Sequence, residues 1–156
     1  MKFDGLYHIR DAVSEDRNFV IHSFLESLYY GNKAEPKCTR CGEKQHTVNW
    51  ITRIPMKIFY DNYKIMAQSL FDSVKNKVKI ACLPDDPNVI IGYSIVSQDL
   101  STLHYVYVKK VWRRRGIAKS LCALTPLQVS HLTNQGEKLL TKFSTEVLFN
   151  PFVGAL

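Results

Sequence analysis

No stretch of this 156-residue chain approaches the roughly 20 consecutive apolar residues that a membrane span requires. The opening MKFDGLYHIR lacks the apolar core of a secretory leader, so a cytoplasmic location away from any membrane is the expectation. Glycine is scarce, and no Gly-rich run ends in Gly-Lys-Ser/Thr, which excludes a P-loop nucleotide site. Cysteine is sparse as well: the four present include a single Cys-x-x-Cys pair, too little for the framework of a disulfide-stapled secreted domain. Internal repeats and low-complexity tracts are absent.

What is present is 46% hydrophobic and 22% charged, the balance of one globular domain over residues 1–156 that can bury a core without disulfides or metal. The formal charge of +7 favours an anionic partner, either a coenzyme bearing several phosphates or nucleic acid.

Apolar spacing divides the chain into elements. Tyr7 to Val13 alternates as a strand, and Ser14 to about Tyr30 is an amphipathic helix with Ser14 as its cap and Gly31 as its stop. A long polar loop follows at about 31–53, flanked or populated by Tyr29, Tyr30, His46 and Trp50; loops of that length are disproportionately functional. Pro55 opens a second helix reaching about Val74. Val78 to Cys82, Val89 to Val96 and Thr102 to Val108 then read as three strands joined by short turns, hence antiparallel neighbours, with Gly92 marking a bulge or a close backbone approach. Helical spacing at Ile117, Leu121 and Leu124, a strand within Leu127 to Leu132, a short helix from Asn134 to Phe143 and a last strand from Val147 to Phe149 complete the order β-α-α-β-β-β-α-β-α-β, a mixed α/β (α+β) chain.

The segment Val106 to Leu124 carries the strongest chemistry. Its period changes from strand to helix across Lys109 to Gly116, where five cationic side chains collect. A helix start offers unpaired N–H groups and positive potential, and a glycine there admits an anion close to the backbone. The competing reading is a plain basic run for localisation or nucleic-acid contact, although such runs usually lie in polar, flexible sequence and this one lies between two apolar segments.

Arg113-Arg114-Arg115-Gly116-Ile117-Ala118 matches the Q/R-x-x-G-x-G/A signature of the GCN5-related N-acetyltransferase (GNAT) superfamily, which the element order also resembles over nearly the whole chain. The resemblance implies a mostly antiparallel central sheet flanked by helices, and acetyl-CoA as the acyl donor to an amine acceptor, whether small molecule, protein or nucleobase. It also implies that Arg113, Arg114, Arg115, Gly116, Ile117 and Ala118 receive the pyrophosphate and that the backbones of Val106 and Val108 hold the pantetheine arm. Asn134 matches the Asn that opens the family's acid-bearing pattern, but the position of its tyrosine falls on Thr141, too weak an acid to replace it. The tail after Phe143 is shorter than the family's closing hairpin.

Catalytic candidates are therefore His104, whose ordinary pKa of about 6.5 suits a base, and, for protonating the leaving thiolate, either Tyr105 or Tyr107 as a substitute phenol or simply water. The alternative for His104 is a structural role. Cys38-x-x-Cys41-Gly42 with His46 resembles half of a zinc ribbon, but a tetrahedral site wants four ligands. Two free thiols are favoured, and a site shared between the subunits of a homodimer is the arrangement that could supply the missing ligands. Two alternatives to acyl transfer remain: nucleic-acid binding or base modification on the same fold, and coenzyme A binding without turnover.

Overall fold

A computed structural model describes residues 5–33, 50–122, 128–140 and 146–153. Its elements follow the order read from the sequence: β1 (His8–Asp11), α1 (Arg17–Lys33), α2 (Met56–Asp72), β2 (Asn76–Cys82), β3 (Ile90–Ser97), β4 (Thr102–Val108), α3 (Ile117–Leu121), β5 (Gln128–Val129), α4 (Asn134–Leu140) and β6 (Leu148–Phe149). They form one six-stranded sheet in sequential order. The pairings from β1 to β4 are antiparallel, while β4–β5 and β5–β6 are parallel. A parallel pair needs a crossover, and the segment containing α3 supplies it between β4 and β5.

The two sheet faces bury different partners. Phe24, Leu25 and Leu28 of α1 and Phe59 and Leu70 of α2 pack on Ile80, Tyr93, Ile95 and Tyr105. On the opposite face, Ile117 and Leu121 of α3 pack on Ala81 and Ile91, with Val106 and Val108 against them. Side chains alternate along each strand, so β2, β3 and β4 each feed both layers.

Several boundaries depart from the sequence reading. A 3-10 turn over Ser14–Asp16 precedes α1, and it is Asp16, not Ser14, whose carboxylate accepts the Val13 amide at 2.8 Å. Asp16 is also buried against Arg10, with bonds of 2.6 and 2.9 Å tying β1 to the entry of α1. Gly31 does not stop the helix, which continues to Lys33; a Cβ at this position would lie 3.0 Å from Thr133 Cγ2, so the missing side chain admits the segment after β5. Gly92 serves the close approach expected of it, since a Cβ there would come within 2.6 Å of the Tyr107 carbonyl oxygen. Among the described residues no helix is long and apolar enough to cross a membrane.

Candidate functional site

Strands β4 and β5 are paired only at Thr102–Gln128 and Leu103–Val129. The Ser130 amide still reaches the Leu103 carbonyl at 3.2 Å, and beyond that point the strands part. A bulge begins at the same place: Val96 of β3 faces Leu103 and Ile95 faces Tyr105, leaving His104 as an extra residue in β4. After the bulge the Lys109 amide donates to Ile91 at 2.8 Å. The two-residue period of an antiparallel ladder then turns the polar groups of Tyr105 and Tyr107 toward β3 and those of Val106 and Val108 toward the β5 side. Among the described residues no strand lies there past Leu103, so the Val106 and Val108 amides border an open wedge.

The strand-to-helix junction closes one end of that wedge. A 3-10 turn at Lys110–Trp112 is followed by two residues in the left-handed region, Arg114 at φ 63° and Gly116 at φ 78°, and α3 starts at Ile117. Five residues are a short helix, and it ends before Leu124, which lies outside the described residues. Ser120 and Cys122 donate back to the Gly116 and Ala118 carbonyls, whereas the amides from Arg114 to Lys119 meet no protein acceptor among the described residues. A Cβ added to Gly116 would find no atom within 4 Å, so the approach to these amides is open. Arg113 and Arg114 are exposed, Arg113 Nε holding the Val108 carbonyl at 3.1 Å. Arg115 lies over the Trp112 ring at 4.8 Å. Ile117 contributes its amide to the junction while its side chain, 1% exposed, fixes the helix to the core. Ala118 is half-buried beside it.

On the other side of the wedge, a cavity of about 700 Å³ opens between α1, α2, α4 and the segment after β5. Leu28, Ile51, Tyr63 and Phe149 give it an apolar wall, and Glu137 is the one formally charged residue among the described lining; no Lys or Arg joins it there. A second, much smaller cavity of about 30 Å³ lies in the wedge itself, between Tyr105, Val106 and Val129. His131, Leu132 and Thr133 line both spaces.

His104 is 3% exposed, and its Nδ1 lies 2.9 Å from Ser130 Oγ. Burial lowers its pKa below the ordinary value of 6.5. Tyr105 is committed to the core, its hydroxyl 2.8 Å from Ser27 Oγ, and burial raises its pKa far above that of a free phenol. Tyr107 is half-buried and stacked on Tyr93 at 5.4 Å, with its pKa also raised by burial. Both phenols face the α1/α2 layer while Val106 and Val108 face α3.

His131 escaped the sequence reading, which treats Leu127 to Leu132 as a strand. Its Nδ1 is 2.8 Å from Ser130 Oγ and its Nε2 is 3.0 Å from Met66 Sδ, with the ring edge-on to Phe24. Desolvation, then the neighbouring His104, pushes its pKa down to about 4. Nothing in the run of residues signals this site, because the parallel pairing of β5 with β4 is what brings His131 beside His104.

Tyr29 is not a loop residue. It is 5% exposed in the core and donates its hydroxyl to the Ile54 carbonyl at 3.1 Å, whereas Tyr30 is exposed at 46%. Trp50 begins a 3-10 turn, and Asn134 is the first residue of α4. Cys38, Cys41, His46 and Thr141 lie outside the described residues. Cys82 is buried and donates weakly to the His8 carbonyl at 3.6 Å, and burial pushes the Cys122 thiol up to about 12. Among the described residues no group of His, Cys, Asp and Glu is arranged to hold a metal.

No protein-family profile matches the chain, and no curated protein is similar to it. Solved structures are. A chain from Pyrococcus furiosus provisionally named an acetyl transferase is 14% identical, with 94% of this chain and 87% of that one aligned at a TM-score of 0.52. The ribosomal-protein-alanine N-acetyltransferase of Brucella melitensis biovar Abortus is 15% identical over 96% of this chain and 86% of its own, at a TM-score of 0.41. A GNAT superfamily phosphinothricin acetyltransferase from Sinorhizobium meliloti, solved in complex with AcCoA, is 15% identical over 76% of this chain and 56% of its own, at 0.38.

Proposed function

We propose that this chain, which has the fold of the GCN5-related N-acetyltransferases, is an acyl-CoA-dependent N-acyltransferase that moves an acetyl group from acetyl-CoA to an amine. The observation that carries the reading is the wedge between β4 and β5, with amides along one side that have no partner among the described residues and the Arg113–Ala118 junction at its end. An extended, polyanionic ligand with an amide-bearing arm needs that combination: backbone donors for the arm, and free helix-start amides with arginines for its phosphates. The residues fit it, since a Cβ at Gly116 would meet no protein atom within 4 Å and the approach to the free amides is open.

Bound acetyl-CoA would supply an activated thioester. The chain's own contributions are positional and electrostatic. Val106 and Val108 amides orient the arm along β4, and Arg113, Arg114 and Arg115 offset the phosphate charge. His104, neutral at pH 7, takes a proton from the acceptor ammonium. With the Asn134 pattern lacking its tyrosine and the Tyr105 hydroxyl bonded to Ser27, water is the proton source for the leaving thiolate.

The acceptor enters from the larger cavity. Its apolar wall and Glu137, the one carboxylate of the described lining, suit a cationic amine with an apolar body. A nucleic-acid acceptor would want Lys or Arg along the approach, and the described lining has none. Isothermal titration of acetyl-CoA at low salt tests the reading: saturable binding supports it, and no binding to folded protein removes it in favour of a basic surface patch.

A further inference from the structure

Ser130 is 1% exposed and its single hydroxyl stands between two imidazoles, 2.9 Å from His104 Nδ1 and 2.8 Å from His131 Nδ1. One hydroxyl donates one hydrogen bond, so it must give to one ring and receive from the other. Met66 decides which. A thioether sulfur can only accept, so at 3.0 Å from Met66 Sδ the His131 Nε2 has to carry the hydrogen. The reverse arrangement would set two lone pairs against each other.

With its hydrogen on Nε2, neutral His131 has a lone pair on Nδ1, and that lone pair receives the Ser130 O–H. The Ser130 oxygen is then free to accept from His104 Nδ1–H, which leaves the His104 lone pair on Nε2. The competing contact of Ser130 Oγ, to the His104 carbonyl, is long at 3.5 Å. His104 Nε2 has no protein partner among the described residues.

We propose that the Ser130 hydroxyl holds the two histidines in opposite tautomers, so that His104 presents a lone pair at Nε2 and His131 presents an N–H at Nε2, a base and a hydrogen-bond donor of one site. The assignment of these groups to acyl transfer rests on the acyltransferase reading; the tautomers themselves do not. His131 is placed for a donor's role, because it lines both the wedge and the larger cavity, and the Met66 sulfur it holds is a weak acceptor that a thioester oxygen with developing charge would displace. In the reaction, His104 Nε2 takes one proton from the ammonium, the freed nitrogen bonds to the carbonyl carbon, and the C–S bond breaks. The thiolate takes a proton from water, and the new amide nitrogen and His104 each return one to solvent, for a net release of one proton. His131 donates a hydrogen bond to the oxyanion throughout and transfers nothing.

Both rings must be neutral for this, and burial depresses both pKa values, that of His131 to about 4. The other ionisable groups that share a cavity wall with His131 among the described residues are Tyr63 on α2, Tyr105 on β4 and Glu137 on α4, and for His104 burial is the cause of the shift. Ser130 and Met66 are positioning residues, since they act through the imidazoles.

The test is imidazole nitrogen NMR on the full chain at pH 7, which distinguishes a protonated from an unprotonated ring nitrogen directly. The expected result is hydrogen on Nδ1 of His104 and on Nε2 of His131. Hydrogen on Nε2 of His104, or on Nδ1 of His131, overturns the proposal without bearing on coenzyme binding. In Ser130→Ala, the His104 Nδ1–H preference should be lost. In His131→Asn, whose side-chain oxygen can replace Nδ1 as acceptor, it should survive, and in His131→Leu it should not; retention in all three variants also overturns it. Adding acetyl-CoA should shift the His131 Nε2–H resonance, and free coenzyme A, which has no thioester carbonyl, should not. Acetyl-CoA binding with an unmoved His131 signal defeats the donor role alone. The expected tautomers without any acetyl-CoA binding support the histidine arrangement and defeat the acyltransferase reading.

Discussion

Gly116 separates backbone strain from ligand approach, because each is read by a different measurement. Its φ of 78° lies where an L side chain costs about 1–2 kcal/mol. A Cβ there meets no protein atom within 4 Å, so no packing clash adds to that figure. Loss of unfolded-state freedom in Gly116→Ala returns about 0.4–1 kcal/mol. The net destabilisation is about 1 kcal/mol, or a fall of about 2–4 °C in melting temperature for a chain of this size. Coenzyme affinity should fall further. If the new side chain keeps a phosphate from even one of the free amides between Arg114 and Lys119, the lost charge-assisted bond is worth about 1.5–3 kcal/mol, which is on the order of 10- to 150-fold in Kd. Gly116→Val should lose at least as much. Calorimetric melting without ligand and titration with acetyl-CoA at low salt give the two numbers separately. A melting temperature lowered as expected beside an unchanged Kd would mean that no phosphate rests on this junction.

Gly92→Ala would force a Cβ to 2.6 Å from the Tyr107 carbonyl oxygen, so thermal melting should show a loss of about 1–3 kcal/mol as β4 is pushed aside. Asp16→Asn should cost about 3 kcal/mol in denaturant titration, since it leaves the Arg10 guanidinium without its charge partner. The Arg10 hydrogen bond holds the Asp16 carboxyl below its usual value of 3.8, so this stabilisation is complete above that pH in the parent and disappears as pH falls through the lower folded value. An acid-unfolding midpoint that does not change in Asp16→Asn would refute the assignment. Tyr29→Ala should destabilise by about 3–5 kcal/mol as a core truncation, with Tyr29→Phe costing about 1 kcal/mol; a purely kinetic effect on the acceptor would return Tyr29 to the substrate site. His104→Ala should lower kcat on the order of 100-fold and leave the acetyl-CoA Kd unchanged, equal rates across pH 6 to 9 being the contrary result.

The sequence is legible where local period decides. Thr102–Val108 is a strand with the bounds its alternation implies, and the change of period at Ile117 is the start of α3. It is misleading where distant segments intervene. Gly31 looks like a helix stop because glycine disfavours helix interiors, yet contact with Thr133 keeps it inside α1. Strict alternation groups His104 with Val106 and Val108, but it cannot register the bulge, which exists only relative to β3. Ser130 and His131 carry no motif of their own, and their proximity to His104 depends on the crossover that makes β5 parallel to β4. The signature residues Arg113 to Ala118 could be located by pattern because the junction is a local structure.

The extra residue in β4 also makes the length of this segment matter separately from its chemistry. Replacing His104 changes one side chain, whereas deleting it would remove the bulge, because Leu103 and Tyr105 already face the consecutive β3 residues Val96 and Ile95. Tyr105 to Val108 would keep their partners and their layers, the two tyrosines toward α1 and α2 and the two valines toward α3. What would be lost is the local bend and added twist that the extra residue gives β4 beside the point where β5 leaves it. A one-codon deletion at this point therefore straightens the strand without reordering its faces, which no substitution at the same position can do.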